Sequence, residues 1–195
     1  MKTYLIAGRT GVGKSSFVNN TFGIRLAETS PLRACTKVVE YHSRTTPFGP
    51  VALIDTPGLA EDDEDLDIAY LKLVSERLKS THIDSMIYVT TLKDNRTLRT
   101  EEKTALRLLT EHLGGRIWEP SWLVLTFAAS VSSSDRWSHA KHVRSTLESY
   151  LTGLTGLGTN RTSRYRDMQF ERMLLTDNVV SGWSDNCRPT AEFLT

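Results

Sequence analysis

Apolar residues along the chain fall into short runs separated by stretches of helical spacing. Thr3 to Ala7 is an apolar run that predicts a strand; it breaks at Gly8, and a helix resumes from about Lys14. Residues 23–35 carry no clear period and read as a loop. Thr36 to Ser43 ("TKVVEYHS") has strand character, and "TTPFGP" marks a turn through Pro47, Gly49 and Pro50. Val51 to Ile54 is apolar again, so the two strands predict a hairpin. After the acidic loop "AEDDEDLD", Tyr70, Leu71, Val74 and Leu78 recur at helical spacing. Ser85 to Thr90 predicts a strand, and Leu106, Leu109 and Leu113 a helix ended by Gly114-Gly115. Trp122 to Phe127 is the next strand. Val143, Leu147, Tyr150, Leu151 and Leu154 mark a further helix, stopped by Gly153, Gly156 and Gly158. A basic segment leads to a last strand near Met173 to Thr176. Strands alternating with helices predict an α/β fold: three layers, α/β/α, around a mostly parallel sheet with one antiparallel hairpin strand.

Composition narrows this only a little. The 195 residues predict one domain over 1–195, and 39% apolar content is enough to build a core. A formal net charge of +1 provides no global field for nucleic acid or for a membrane surface, so no nucleic-acid partner is expected. No apolar run reaches the length of a membrane span. Cys35 and Cys187 have no metal or redox spacing, and a reducing, cytoplasmic location is expected.

The candidate chemistry begins with "GRTGVGKSS", which matches G-x-x-x-x-G-K-[ST] from Gly8 to Ser15. It stands between a strand and a helix, where backbone N–H groups and the helix start converge on an anion. Gly8, Arg9, Thr10, Gly11, Val12, Gly13, Lys14, Ser15 and Ser16 are therefore the expected phosphate cradle. In it Lys14 meets the β- and γ-phosphates and Ser15 holds Mg²⁺.

"LIDTPGLAEDDED" supplies a second half. An apolar strand delivers Asp55 to its C-terminal end, where a carboxylate can hold Mg²⁺ through water. Gly58 can bring its N–H to a γ-phosphate without a side chain in the way. Leu59 stands where Ras-like switches place a water-orienting glutamine, so slow hydrolysis is expected. A Thr or Ser between the first helix and the hairpin should complete the Mg²⁺ shell; Thr36 is the choice, with Thr29 and Ser30 as alternatives. The acidic run after Leu59 reads as a second switch segment.

"GRTGVGKSSFVN", "ACTKVV" and "LIDTPGL" resemble the translation-factor-like class of P-loop GTPases. "MIYVTTLKDNRTLRTEEKTALRLL" resembles the AIG1 (immunity-associated) pattern, in which Arg, Thr, Glu and Glu run into the third helix. "LTFAA" and "LLTDN" are similar to the base-reading segments of chloroplast outer-envelope import-receptor GTPases. The resemblance covers roughly residues 3–180.

It implies a G domain with a phosphate-binding half at about 1–80, a base-reading half at about 81–180 and a short tail at 181–195. It also implies GTP and GDP as ligands with Mg²⁺, hydrolysis to GDP and phosphate, and roles for single residues. Thr126 and Phe127 would flank the base, with Phe127 stacking on a purine; Asp177 and Asn178 would read guanine. A strand-ending core Phe127 and a plain turn at Asp177-Asn178 are the structural alternatives. Arg96, with Arg99 close behind, would reach a partner's nucleotide in a nucleotide-dependent homodimer through the nucleotide face, or would be solvated. An effector or activating protein is implied without being named. Two other functions compete: an assembly module that uses GTP as a structural ligand, and an adenine-specific P-loop NTPase.

Overall fold

The computed structural model describes residues 1–24, 26–27, 39–46, 49–60, 63–93, 97–119, 121–155 and 172–176. Six strands form one sheet: β1 (Lys2–Ala7), β2 (Glu40–Thr46), β3 (Gly49–Asp55), β4 (Ser85–Thr91), β5 (Ser121–Thr126) and β6 (Arg172–Leu175). Their spatial order is β2-β3-β1-β4-β5-β6, and β2–β3 is the one antiparallel pair.

Four helices are described: α1 (Lys14–Phe22), α2 (Glu64–Leu78), α3 (Thr100–Leu113) and α4 (Arg136–Thr155). Alternation along each strand sends side chains to opposite faces. Leu5, Ile54, Met86, Tyr88, Leu123 and Leu125 pack under α2, α3 and α4. Tyr4, Ile6, Leu53, Ile87, Val89 and Val124 pack with Phe17, Val18 and Phe22 of α1. Both faces are covered, which is why β1, β4 and β5 read as near-continuous apolar runs.

Several boundaries differ from the sequence-based expectation. β2 begins at Glu40 rather than Thr36; Thr36 itself lies outside the described residues. Gly49 and Pro50, expected in the turn, belong to β3, where Gly49 pairs with Thr46 and Pro50 with Thr45. Pro50 lies one residue beyond the β1–β3 register, which starts at Val51, so its missing N–H breaks no bond to β1. Gly153 does not stop the last helix but sits inside α4, its Cβ direction open to space, where the propensity cost is about 1 kcal/mol. β5 ends at Thr126, one residue before Phe127.

β1 pairs with β3 on one side and β4 on the other. Successive connections thus leave β1 in opposite directions, and its C-terminal end opens the crevice where ligands collect in such sheets.

Candidate functional site

The loop from Gly8 to Gly13 leaves β1 at this crevice. Gly13 has φ 94°, a left-handed conformation, and caps α1 with no side-chain hydrogen bond. The first turn of α1 contains no acidic residue, so its N–H groups face the crevice without a carboxylate competing for them. Gly8, at φ 150°, cannot be replaced: a Cβ there would collide with the carbonyl oxygen of Val89. Lys14 is 6% exposed, and its Nζ donates to the carbonyls of Gly8 (3.1 Å) and Arg9 (2.9 Å). The ammonium is thereby held across the loop mouth.

Asp55 ends β3 and is fully buried. Burial pushes its carboxyl above the usual carboxylate range, partly opposed by the Lys14 charge. The Ser15 hydroxyl donates to Asp55 Oδ2 at 3.3 Å. A buried carboxylate beside a hydroxyl is a hard-oxygen donor pair, which suits Mg²⁺. Thr36, the expected third metal ligand, lies outside the described residues.

Gly58 lies against the phosphate loop: a Cβ on it would collide with Thr10 Oγ1. Two backbone hydrogen bonds latch the segments together, Thr10 N–H to Leu59 O at 3.2 Å and Leu59 N–H to Gly8 O at 3.3 Å. Leu59 is 2% exposed and belongs to the core beneath α2 and α3. Beyond it, Asp67 accepts from Ala60 N–H at 2.7 Å and Asp63 caps α2 through Leu66 N–H.

Thr126 and Phe127 part company. Thr126 is fully buried; its hydroxyl donates to the Val12 carbonyl at 2.6 Å and lies 3.1 Å from the Thr90 carbonyl. Phe127 is 39% exposed in a left-handed conformation, φ 54°, and is not a strand-ending core residue. With Arg9, Thr10, Gly11, Val12, Thr91, Lys93 and Arg99, it lines a cavity of about 290 Å³. Asp177, Asn178 and Arg96 lie outside the described residues. Thr176, which precedes Asp177, exchanges backbone hydrogen bonds with the same loop: it donates to Leu125 O at 3.0 Å and accepts from Ala128 N–H at 3.3 Å.

Sequence reasoning placed Arg9 in the cradle but missed its side chain's partner. Arg9 Nε donates to Glu102 Oε2 at 2.6 Å, and the Tyr88 hydroxyl donates to Glu102 Oε1 at 2.6 Å. Glu102 opens α3, where an acidic residue reads as favourable charge at a helix start, so its burial has no signature in the sequence.

The profile of the AIG1 family matches residues 2–173. Translocase of chloroplast 159 of Arabidopsis thaliana is 34% identical over 128 residues, which are 65% of this chain and 8% of that protein. The chain spans less than half the length of the curated relatives it matches. Among solved structures, Toc33 from Arabidopsis thaliana in complex with GDP and Mg²⁺ is 22% identical with a TM-score of 0.75, over 99% of this chain and 82% of that one. A structure of the chloroplast translocon components atToc33 and psToc159, described with the statement that dimerization is important for their GTPase activity, is 26% identical with a TM-score of 0.74, over 91% of this chain and 70% of that one. The fold is therefore that of a P-loop G domain. The cytoplasmic location expected from the sequence does not stand, because the curated relatives include several translocases of chloroplast. Among the described residues, no helix is long and apolar enough to cross a membrane.

Proposed function

The chain belongs to the AIG1 family, and on that premise we propose that it is a guanine-nucleotide switch that binds GTP and GDP with Mg²⁺ and hydrolyses GTP slowly. The observation that carries the reading is the crevice in which Lys14, the uncapped start of α1 and the Ser15–Asp55 pair converge. Lys14 and the loop amides would stabilise charge on the γ-phosphoryl oxygens. Ser15 and Asp55 would hold Mg²⁺, with Thr36 as third ligand; the ion would supply neutralisation of phosphate charge. Gly58 would sense the γ-phosphate through its N–H. The 1–195 chain acts in this reading as one G domain.

The base would stack on the exposed ring of Phe127, and Asp177 with Asn178 would accept the guanine N1 and N2 donors from a position next to Thr176. The hydrogen bonds of Thr176, which precedes Asp177 in the sequence, to Leu125 and Ala128 support the assignment. A homodimer through the nucleotide face, with Arg96 or Arg99 reaching the partner's phosphates, draws support from the dimerization described for the Toc33 and Toc159 components.

A second reading, an assembly module that turns GTP over very little, is favoured by the burial of Leu59, which leaves no water-orienting side chain at that position. Titration with labelled GDP and ADP, with and without Mg²⁺, tests the nucleotide assignment. GDP should bind tightly and gain affinity from Mg²⁺; equal binding of ADP would sink the guanine reading. Steady-state GTP hydrolysis of the wild type against Lys14→Ala separates switch from module. A rate unaffected by the substitution points to the module.

A further inference from the structure

Glu102 is a carboxylate with no exposed side-chain surface, placed at the third residue of α3. Burying such a charge is costly unless it is paired and hydrogen-bonded. Both its oxygens are engaged, one by Arg9 Nε and the other by the Tyr88 hydroxyl, each at 2.6 Å. Tyr88 belongs to β4 and is itself fully buried. Three elements (the phosphate loop, β4 and the start of α3) therefore meet on one carboxylate.

Arg9 is also where the loop's other contacts gather. Its carbonyl accepts from Lys14 Nζ at 2.9 Å. It bridges Leu59 of the second switch segment, through the hydrogen bonds made by its neighbours Gly8 and Thr10. A rotation of Arg9 would thus move the seat of Lys14 and the edge against which Gly58 lies. The Arg9 side chain is 18% exposed, and the ion pair with Glu102 fixes its guanidinium end.

We propose that Glu102, fixed by Tyr88, is a positioning residue for nucleotide binding: through Arg9 it holds the phosphate loop in the register that its amides and Lys14 need. The inference rests on the nucleotide reading above and adds to it a group on α3, outside the phosphate loop. A charge-assisted pair orients a side chain more sharply than a neutral hydrogen bond, because the contact is shorter and about twice as strong. The role is one of orientation; Glu102 touches no substrate atom.

The test uses the full chain and three variants, Glu102→Gln, Arg9→Met and Arg9→Lys. GDP affinity is measured by titration, and the denaturation midpoint is measured with and without GDP and Mg²⁺. Glu102→Gln and Arg9→Met should each weaken GDP binding by about tenfold, which shrinks the GDP-induced stabilisation by about 1.4 kcal/mol. Arg9→Lys retains a cation for Glu102 and should bind GDP within about threefold of wild type, a difference of well under 1 kcal/mol. A fourth variant, the double substitution Arg9→Met with Glu102→Gln, buries no unpaired charge and keeps the result readable if a single substitution does not fold. Variants that melt earlier without GDP but keep the wild-type affinity would reduce the ion pair to plain structure and overturn the proposal. Arg9→Lys losing as much as Arg9→Met would overturn it too. Wild type that binds no GDP overturns the nucleotide reading itself, so the two failures are told apart.

Discussion

The hydroxyl of Thr126 reaches the carbonyl oxygen of Val12 across 114 positions of sequence and 2.6 Å of space. It ties the end of β5 to the phosphate loop. Thr126→Val removes that donor from buried carbonyls and should cost about 1–3 kcal/mol of stability. GDP and ADP binding should weaken together, with their ratio unchanged, while Thr126→Ser restores both. Urea denaturation and paired titrations check this; a selective loss of GDP would place Thr126 at the base after all.

Phe127 adopts a left-handed backbone at φ 54°. A residue with a Cβ is strained there by about 1–2 kcal/mol, and a glycine is not. Phe127→Gly should therefore leave the nucleotide-free protein no less stable, while GDP affinity falls by about tenfold from loss of the stacking surface. A variant that binds GDP like wild type would leave the exposed ring without a ligand role.

Asp55 carries its charge in full burial, and its carboxyl titrates above the usual range for that reason. The folded state therefore holds this proton more tightly than the unfolded chain, and the Asp55 contribution to stability falls as pH rises through the folded-state pKa. At neutral pH and without Mg²⁺, Asp55→Asn should be the more stable protein, and its advantage should vanish towards acid pH. The same variant should lose the Mg²⁺-dependent part of GDP affinity. Denaturation curves from acid to neutral pH, with and without Mg²⁺, read both effects. A destabilised Asp55→Asn at neutral pH would contradict the prediction.

Tyr88 gives the opposite end of the pH scale. Burial first, then the negative charge of Glu102, pushes its phenol well above the ordinary value. Above pH ~10 the unfolded chain releases this proton and the folded chain keeps it, so stability falls as pH rises. Tyr88→Phe should be less stable at neutral pH, from the lost hydrogen bond to Glu102, yet decline less steeply at alkaline pH. Parallel alkaline curves for the two proteins would show that Tyr88 is not the group responsible.

The phosphate half of the site was legible because each part is local. Gly8 to Ser15 is contiguous, and an apolar strand announces Asp55, so spacing alone carries the geometry. The α/β order was legible for the same reason: buried strands and amphipathic helices have different periods. Boundaries at Glu40 and Gly49 were not, because strand pairing decided them, nor was the run of α4 through Gly153. The contacts of Thr126 and Glu102 were not legible, since their partners, Val12 and Arg9, are far away in sequence. A threonine at the end of a strand and a glutamate at the start of a helix look ordinary until the chain is folded.

Leu59 sits with its side chain sealed under α2 and α3 while its backbone is zipped to Gly8 and Thr10. Installing glutamine there would bury an amide among apolar neighbours instead of presenting it to an attacking water. On the proposed reading, a glutamine at this position would therefore not speed hydrolysis, and acceleration would come from a group outside the Leu59 position.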